Sequence, residues 1–441
     1  MRLLCLTLLL AATAATAQPR PATDSLARIQ TARADVDTLA SPRYAGRGYD
    51  RHGGAGRAAG YLSRRFAAIG LAPFGRSFLR PFTFVTSVVD GASLSVDGHE
   101  LPLHAAFLPI PSAPDGWGAG EVTTVGHGLA LPDHNAYAGR SVRGRIAVVT
   151  DPLPDPLPST LTEPRADLIA RIAAAKAYGA QALVILVDPA HLVYGAPRVE
   201  ASLPVFFVAR AAWPVNAQTV SYHVEARPNQ PAAGVNVVGF VPGTVHPDSF
   251  VVVTAHYDHI GTMMTGPSLD RAIVRPGAND NASGTASLLA LAEAVRRTPL
   301  RVSVVFAAMA AEELGLVGSD TLAARSPWPL DRTRLLVNLD MTASGDGRMI
   351  VFGGQDQPAA FARLQHAAAS VHATPAIALI PRETRPNSDH WPFAQKGVPA
   401  LFLLTAGRPQ PYHAPDDLAA TLDWPSWDAV HRLVLTLLRS E

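Results

Sequence analysis

The stretch from Phe250 to Gly284 decides how this chain is read. It opens with Phe250-Val251-Val252-Val253, an unbroken apolar run of the kind that forms a strand buried on both faces. The run passes into Thr254-Ala255-His256-Tyr257-Asp258-His259, and the stretch closes on Gly277-Ala278-Asn279-Asp280-Asn281-Ala282-Ser283-Gly284. Histidines and aspartates therefore gather at the end of a strand and the start of a helix. Imidazole and carboxylate in that position suit a borderline cation such as zinc. The stretch reads as half of a metal site.

The rest of the chain supplies the other half. From Gly234 onward, buried strands alternate with amphipathic helices, which predicts an α/β fold: a mostly parallel, mixed sheet flanked by helices on both faces. The helix after Asn281 carries Leu288, Leu289, Leu291, Ala292 and Val295 on one side and stops before Pro299. The run Val302 to Ala307 leads to Glu312-Glu313, Leu335 to Leu339 leads to Asp340, and Ala400 to Leu404 leads through a loop to Tyr412-His413. Each apolar run delivers an acid or a histidine past its C-terminal end, the edge where open α/β sheets bind ligands.

His256, Asp280, Glu313, Asp340 and His413 are the candidate ligands. Singly, each has a plainer explanation: a histidine at a strand end is commonly hydrogen-bonded structure, and Asp340 or Glu313 alone reads as a helix cap. Together they exceed one tetrahedral ion and fit two ions sharing a carboxylate, a hydrolytic arrangement. Asp258, two residues from His256, is expected to accept the second ring N–H of that histidine. In the Glu312-Glu313 pair one carboxylate can bind metal while its neighbour, aimed differently, stays free as a general base.

Composition sets bounds. The chain has 441 residues, 48% of them hydrophobic, enough for one large core or two. A formal net charge of +1 argues against a nucleic-acid partner. Residues 1–17 pair a basic start with the apolar run Leu3 to Leu10 and a small-residue end at Ala15-Thr16-Ala17, the pattern of a cleavable secretory leader. Export to the periplasm or outside the cell is the expectation, without stable membrane association, since no later segment is long and apolar enough to span a bilayer. The single cysteine, Cys5, lies inside that leader, so disulfides and a thiol nucleophile are both excluded.

The expected organisation is a leader at 1–17, an N-terminal part of the catalytic domain at 18–87, an insert at 88–229 and the remaining catalytic domain at 230–441. Helices are expected over residues 24 to 39 and from about Arg57 to a Gly70 cap. From about residue 88 short alternating runs with many Gly and Pro begin. Gly144-Arg145-Ile146-Ala147-Val148-Val149 and Lys176-Ala177-Tyr178-Gly179-Ala180-Gln181-Ala182-Leu183-Val184-Ile185 resemble the protease-associated domain, a small β-rich lid inserted in some exopeptidases.

The site motifs also carry a resemblance. His256-Tyr257-Asp258-His259, Gly277 to Gly284, Ala311-Glu312-Glu313, Asn338-Leu339-Asp340-Met341, Ser388-Asp389-His390 and Tyr412-His413 resemble the co-catalytic zinc aminopeptidases, metallopeptidase family twenty-eight, whose relatives include glutamate carboxypeptidases and glutaminyl cyclases. Gly46-Arg47 and Gly53-Gly54 look like the same family. The resemblance implies the zinc exopeptidase fold and two zinc ions per chain. Asp280 would bridge them, with His256 and Asp340 on one ion and Glu313 and His413 on the other. It also implies a cis peptide after Asp280, Glu312 as base, and hydrolysis of the N-terminal bond of peptides. His390 is read as catalytic on the substrate side, and Asp389 and Tyr412 as substrate contacts. His259 reads as supporting structure, and Asn279 is not a lost ligand. A carboxypeptidase-type relative, with Arg382 and Arg385 receiving a substrate carboxylate, and a glutaminyl cyclase are the alternatives.

Overall fold

The computed structural model describes residues 21–132, 135–150, 152, 166–188, 201–374, 376–407 and 411–441. The expected leader at 1–17 and most of the loop from Asp151 to Pro158 lie outside these residues. The strands Ala400–Ala406, Thr333–Leu339, His246–His256 and Val302–Met309 lie side by side in that order, all parallel. Their C-terminal ends therefore share one edge of the sheet. Antiparallel strands flank them: Arg348–Phe352 beside Ala400–Ala406, and Thr219–Val241 beside Val302–Met309. The mixed, mostly parallel sheet is as expected.

Burial on both faces follows from the apolar runs. Val251, Val253 and Ala255 face one core with Val304, Phe306 and Ala308, under the helices Gly54–Ile69, Gly284–Arg297 and Trp424–Arg439. Phe250 and Val252 alternate to the other face, joining Val305, Ala307 and Phe393 in a smaller core with helix Val317–Ala324. A residue period of two places successive side chains on opposite faces. An all-apolar strand can therefore only sit between two helical layers. The first helix runs Pro21–Leu39 and the second ends at Gly70 in the left-handed conformation, with φ 82°.

The expected boundaries at 87/88 and 229/230 fall inside two continuous strands. Leu79–Val96 pairs antiparallel with Thr219–Val241 from Leu79 opposite Val237 to Val96 opposite Val220. Register shifts fall between Thr86 and Val88 and between Val89 and Gly91, where bulges sharpen the twist of the ribbon. Pro228 to Pro231 are exposed there, so a neck of paired backbone joins two cores. Sequence reading missed this continuity because Pro81, Pro228 and Pro231 argue against strands, and prolines are tolerated only where a ladder position is open.

Beyond the neck a second core gathers Val148, Leu183, Ile185, Phe206 and Val224. It packs on parallel strands Ile146–Val149, Ala182–Val187 and Val205–Ala209, with helix Ala166–Ala177 alongside. The loop after His259 reaches this body: strand Thr262–Thr265 pairs with Leu79–Val96, and Met263 is buried in the second core. No helix among the described residues is long and apolar enough to cross a membrane.

Phe306 is fully buried in the main core. Phe306→Ala should lower the unfolding free energy by about 3–5 kcal/mol, read as a drop in the urea midpoint at unchanged slope. A shift under about 1 kcal/mol would contradict this packing.

Candidate metal centre

The shared strand edge assembles the expected ligands. His256 is the last residue of its strand, Asp340 directly follows Leu339, and Glu312-Glu313 follow Met309. His256 Nε2 lies 3.3 Å from Asp280 Oδ1 and 3.3 Å from Asp340 Oδ1. His413 Nε2 lies 3.1 Å from Asp280 Oδ2 and 3.0 Å from Glu313 Oε2. Asp280 thus turns one oxygen to each histidine, and two donor triangles share it.

These spacings fit zinc. Tetrahedral bonds of about 2.0–2.1 Å separate donors by about 3.3 Å. Electrostatics points the same way. Burial disfavours a charged His256, yet Asp340 and Glu312 outweigh it and hold its pKa well above the ordinary histidine value. Burial likewise opposes a charged His413, and Glu313 with Asp280 overrides it in the same direction. Both triangles favour positive charge.

The two neighbouring glutamates differ in their surroundings. Burial pushes the Glu312 carboxyl well above its usual range, and Glu313, Asp340 and Asp389 push it further against His256. Burial also acts on Glu313, but His413 overrides it and holds this carboxyl down at about 2. One neighbour is a committed anion and the other is poised to hold a proton.

The role expected of Asp258 is corrected. His256 Nδ1 lies 3.1 Å from the Asp258 carbonyl oxygen, which only accepts, so Nδ1–H donates there and Nε2 faces the cluster. The Asp258 carboxylate sits 3.9 Å from that nitrogen. It instead accepts the backbone N–H of Glu312 at 3.1 Å and of Glu313 at 3.4 Å. The strand ends at His256, so strand alternation does not extend to Asp258. Its carboxylate holds the glutamate pair.

Asp340 is positioned by polar residues inside the apolar runs. Thr254 Oγ1 donates to Asn338 Oδ1 at 2.7 Å, Asn338 Nδ2 donates to Ser388 Oγ at 2.7 Å, and Ser388 Oγ donates to Asp340 Oδ2 at 2.8 Å. All of these groups are buried. Of the tripeptide Ser388-Asp389-His390, Ser388 reaches the site. Asp389 and His390, expected on the substrate side, are both 0% exposed. Burial pushes the Asp389 carboxyl up to about 7 and takes His390 down to about 4, with the His390 ring against Phe402. The short helix Trp391–Ala394 that follows buries Pro392 and Phe393. The polar breaks Thr254 and Asn338 were the sequence signal for this chain of hydrogen bonds.

Tyr412 is 46% exposed and stacks on the His413 ring with centroids 3.8 Å apart. Burial of its hydroxyl, with Asp280 and Glu313 nearby, keeps that group protonated, a donor beside the donor triangles. His259 was undervalued: its Nδ1 lies 2.7 Å from Glu313 Oε1, and it falls in one donor cluster with Asp280, Glu313 and His413. Arg382 and Arg385 are exposed. The Asp280–Asn281 peptide is cis, as expected. Asn281 staples this turn to the Asp340 strand end, donating to Leu339 O at 2.9 Å and accepting from Met341 N at 3.2 Å. Ala311, Met341 and His413 all have φ between 52° and 55°, a left-handed strain of the kind that gathers at functional sites.

Residues 236–438 match the profile of peptidase family M28. An aminopeptidase of Bacillus subtilis, YwaD, is 28% identical over 266 residues, 57% of this chain and 50% of that protein. The chain spans about half the length of the curated relatives it matches. In three dimensions it resembles BSAP, a zinc aminopeptidase from Bacillus subtilis, with a TM-score of 0.67 at 19% identity, covering 93% of this chain and 94% of that one. An aminopeptidase from Aneurinibacillus sp. strain AM-1 superposes with a TM-score of 0.63 at 20% identity, covering 93% and 92%. At these identities the likeness to the solved structures is one of fold.

Removing the Ser388 hydroxyl takes away a hydrogen-bond donor to Asp340 Oδ2. Ser388→Ala should weaken zinc binding by about 10–100-fold, measured by competition against a chromophoric chelator. Unchanged affinity would remove Ser388 from the centre.

Proposed function

Because the chain belongs to peptidase family M28 through residues 236–438, we propose that it is a zinc-dependent aminopeptidase that hydrolyses the N-terminal peptide bond of peptides. The observation that carries this reading is the pair of donor triangles sharing Asp280, with Glu312 beside them. His256, Asp280 and Asp340 would hold one zinc ion and Asp280, Glu313 and His413 a second. Bound there, zinc would supply Lewis-acid polarisation of the scissile carbonyl and acidify a water molecule.

The chain's own groups do the rest. Glu312 takes the proton of the attacking water on a carboxylate oxygen and returns it to the leaving amine. That exchange suits a carboxyl whose surroundings raise its proton affinity. Tyr412 donates its hydroxyl hydrogen to the carbonyl oxygen as negative charge develops there. Asp258 keeps the Glu312 backbone in place through its N–H. The carboxylate-rich surroundings favour the α-ammonium of a free N-terminus over a substrate carboxylate. That supports the aminopeptidase over a carboxypeptidase-type enzyme, and a complete second donor set speaks against a single-ion cyclase. The body beyond the ribbon neck fits the protease-associated insert at 88–229, and export rests on the leader pattern in residues 1–17.

Glu312→Gln should lower kcat by about 10²–10⁴-fold with metal content unchanged. Retained turnover would rule Glu312 out as the base. Elemental analysis of the mature protein should give about two zinc per chain. Cleavage of aminoacyl-anilides but not of N-blocked peptides should accompany it. Cleavage confined to bonds beside a free C-terminal carboxylate would overturn the reading.

A further inference from the structure

A buried cation from outside the matched family region reaches the back of the centre. Arg47 is 0% exposed, and its guanidinium spends its donors on backbone carbonyls. Nε donates to Tyr257 O at 2.6 Å. One terminal nitrogen donates to Leu39 O at 3.0 Å and Pro276 O at 2.6 Å. The other donates to Gly277 O at 2.6 Å and Asp280 O at 3.3 Å. Of these carbonyls, Leu39 O stands at the C-terminal end of the first helix, and Gly277 O also accepts the Ala282 N–H at 3.2 Å.

A carboxylate grips the same segment from the opposite side. Asp417, also 0% exposed, accepts the backbone N–H of Asn279 at 2.8 Å and of Asp280 at 3.0 Å, and its own carbonyl accepts Ala278 N–H at 3.2 Å. We propose that Arg47 and Asp417 are positioning residues that clamp Pro276–Asp280 from its carbonyl and amide sides and so hold the Asp280 carboxylate between His256 and His413. Arg47 also grips the carbonyl of Tyr257, the residue after His256, and thereby sets the spacing between the two histidine-bearing and aspartate-bearing segments. This inference rests on the metal-centre reading above for its purpose, though not for its geometry.

The local sequence explains how Arg47 gets there. A Cβ on Gly46, at φ 61°, would stand 2.4 Å from Arg275 O, and one on Gly48 would stand 2.5 Å from Gly261 Cα. Only glycines allow the Gly46-Arg47-Gly48 backbone to press this closely against the loop after His259. His259 N–H donates to Arg47 O at 3.3 Å and Gly261 N–H to Gly46 O at 3.1 Å, which locks the contact. Arg47 makes no direct ion pair among the described residues. Burial lowers its pKa to about 10, with Asp417 foremost among the carboxylates that resist this, so the cation persists at neutral pH. A lysine has the charge but lacks the planar fork of five donors.

The test is hydrogen exchange by mass spectrometry on metal-free full-length wild type, Arg47→Lys and Asp417→Asn, followed by cobalt titration read in the visible spectrum. Exchange of the peptide covering residues 276–284 should accelerate by about tenfold or more in both variants, while the peptide covering 302–309 keeps its protection. Cobalt affinity should fall by about 10–100-fold with an altered spectrum. Wild-type protection of 276–284 together with a wild-type cobalt spectrum in either variant would overturn the proposal. Loss of protection throughout the chain would also overturn it, because the role would then be general stability. If the wild type binds no metal, the proposed function fails, and the exchange data still decide whether the clamp exists.

Discussion

Buried negative charge that must be compensated is the constraint from which this structure follows. Asp258, Asp280, Glu312, Glu313, Asp340, Asp389 and Asp417 converge on one edge of the sheet, most of them shut off from water. Isolated ions there would be prohibitively costly. The chain answers in three ways. Imidazoles face the pairs at Asp280, Arg47 lies behind them, and backbone or hydroxyl hydrogens satisfy the oxygens that face away. What stays uncompensated is concentrated in two donor triangles, and that is a description of a site for cations.

The supporting hydrogen bonds come from elements distant in sequence. Ser388 fixes one oxygen of Asp340 and leaves the other to face His256. Asp258 ties the glutamate pair to the His256 loop, and Asn281 ties the Asp280 turn to the Asp340 strand end. The last two bonds each connect two segments that carry candidate ligands. Displacing one strand end would disturb all of the donors, so the scaffold holds the whole cluster as one unit.

The ribbon neck gives the second body a direct mechanical relation to this edge. Strand Thr219–Val241 pairs with the site-bearing sheet at one end and with the second body's strands at the other. The loop that starts at His259 crosses to the second core through Met263 and returns at Gly277. Two independent backbone routes thus join the bodies, one of them anchored at both ends in ligand-bearing sequence. A flexible linker would allow no such registration.

By itself the sequence determined the class of fold and picked out the acids and histidines that gather at one sheet edge. Apolar runs such as Val251-Val252-Val253 need helices on both faces, and an acid or histidine past each run must meet its counterparts once the strands are parallel. Those are local patterns whose consequences propagate through regular geometry. Only the tertiary structure decided what His390, Asp389, Asp258, Arg47 and Asp417 do. Their roles depend on which backbone groups from other segments arrive beside them, and hydrogen bonds between residues 258 and 312, 47 and 277, or 417 and 280 leave no periodic trace in the chain. The same holds for the neck, where pairing between distant strands overruled the local sign of three prolines. Spacing along the chain reveals what repeats, and packing alone sets what meets.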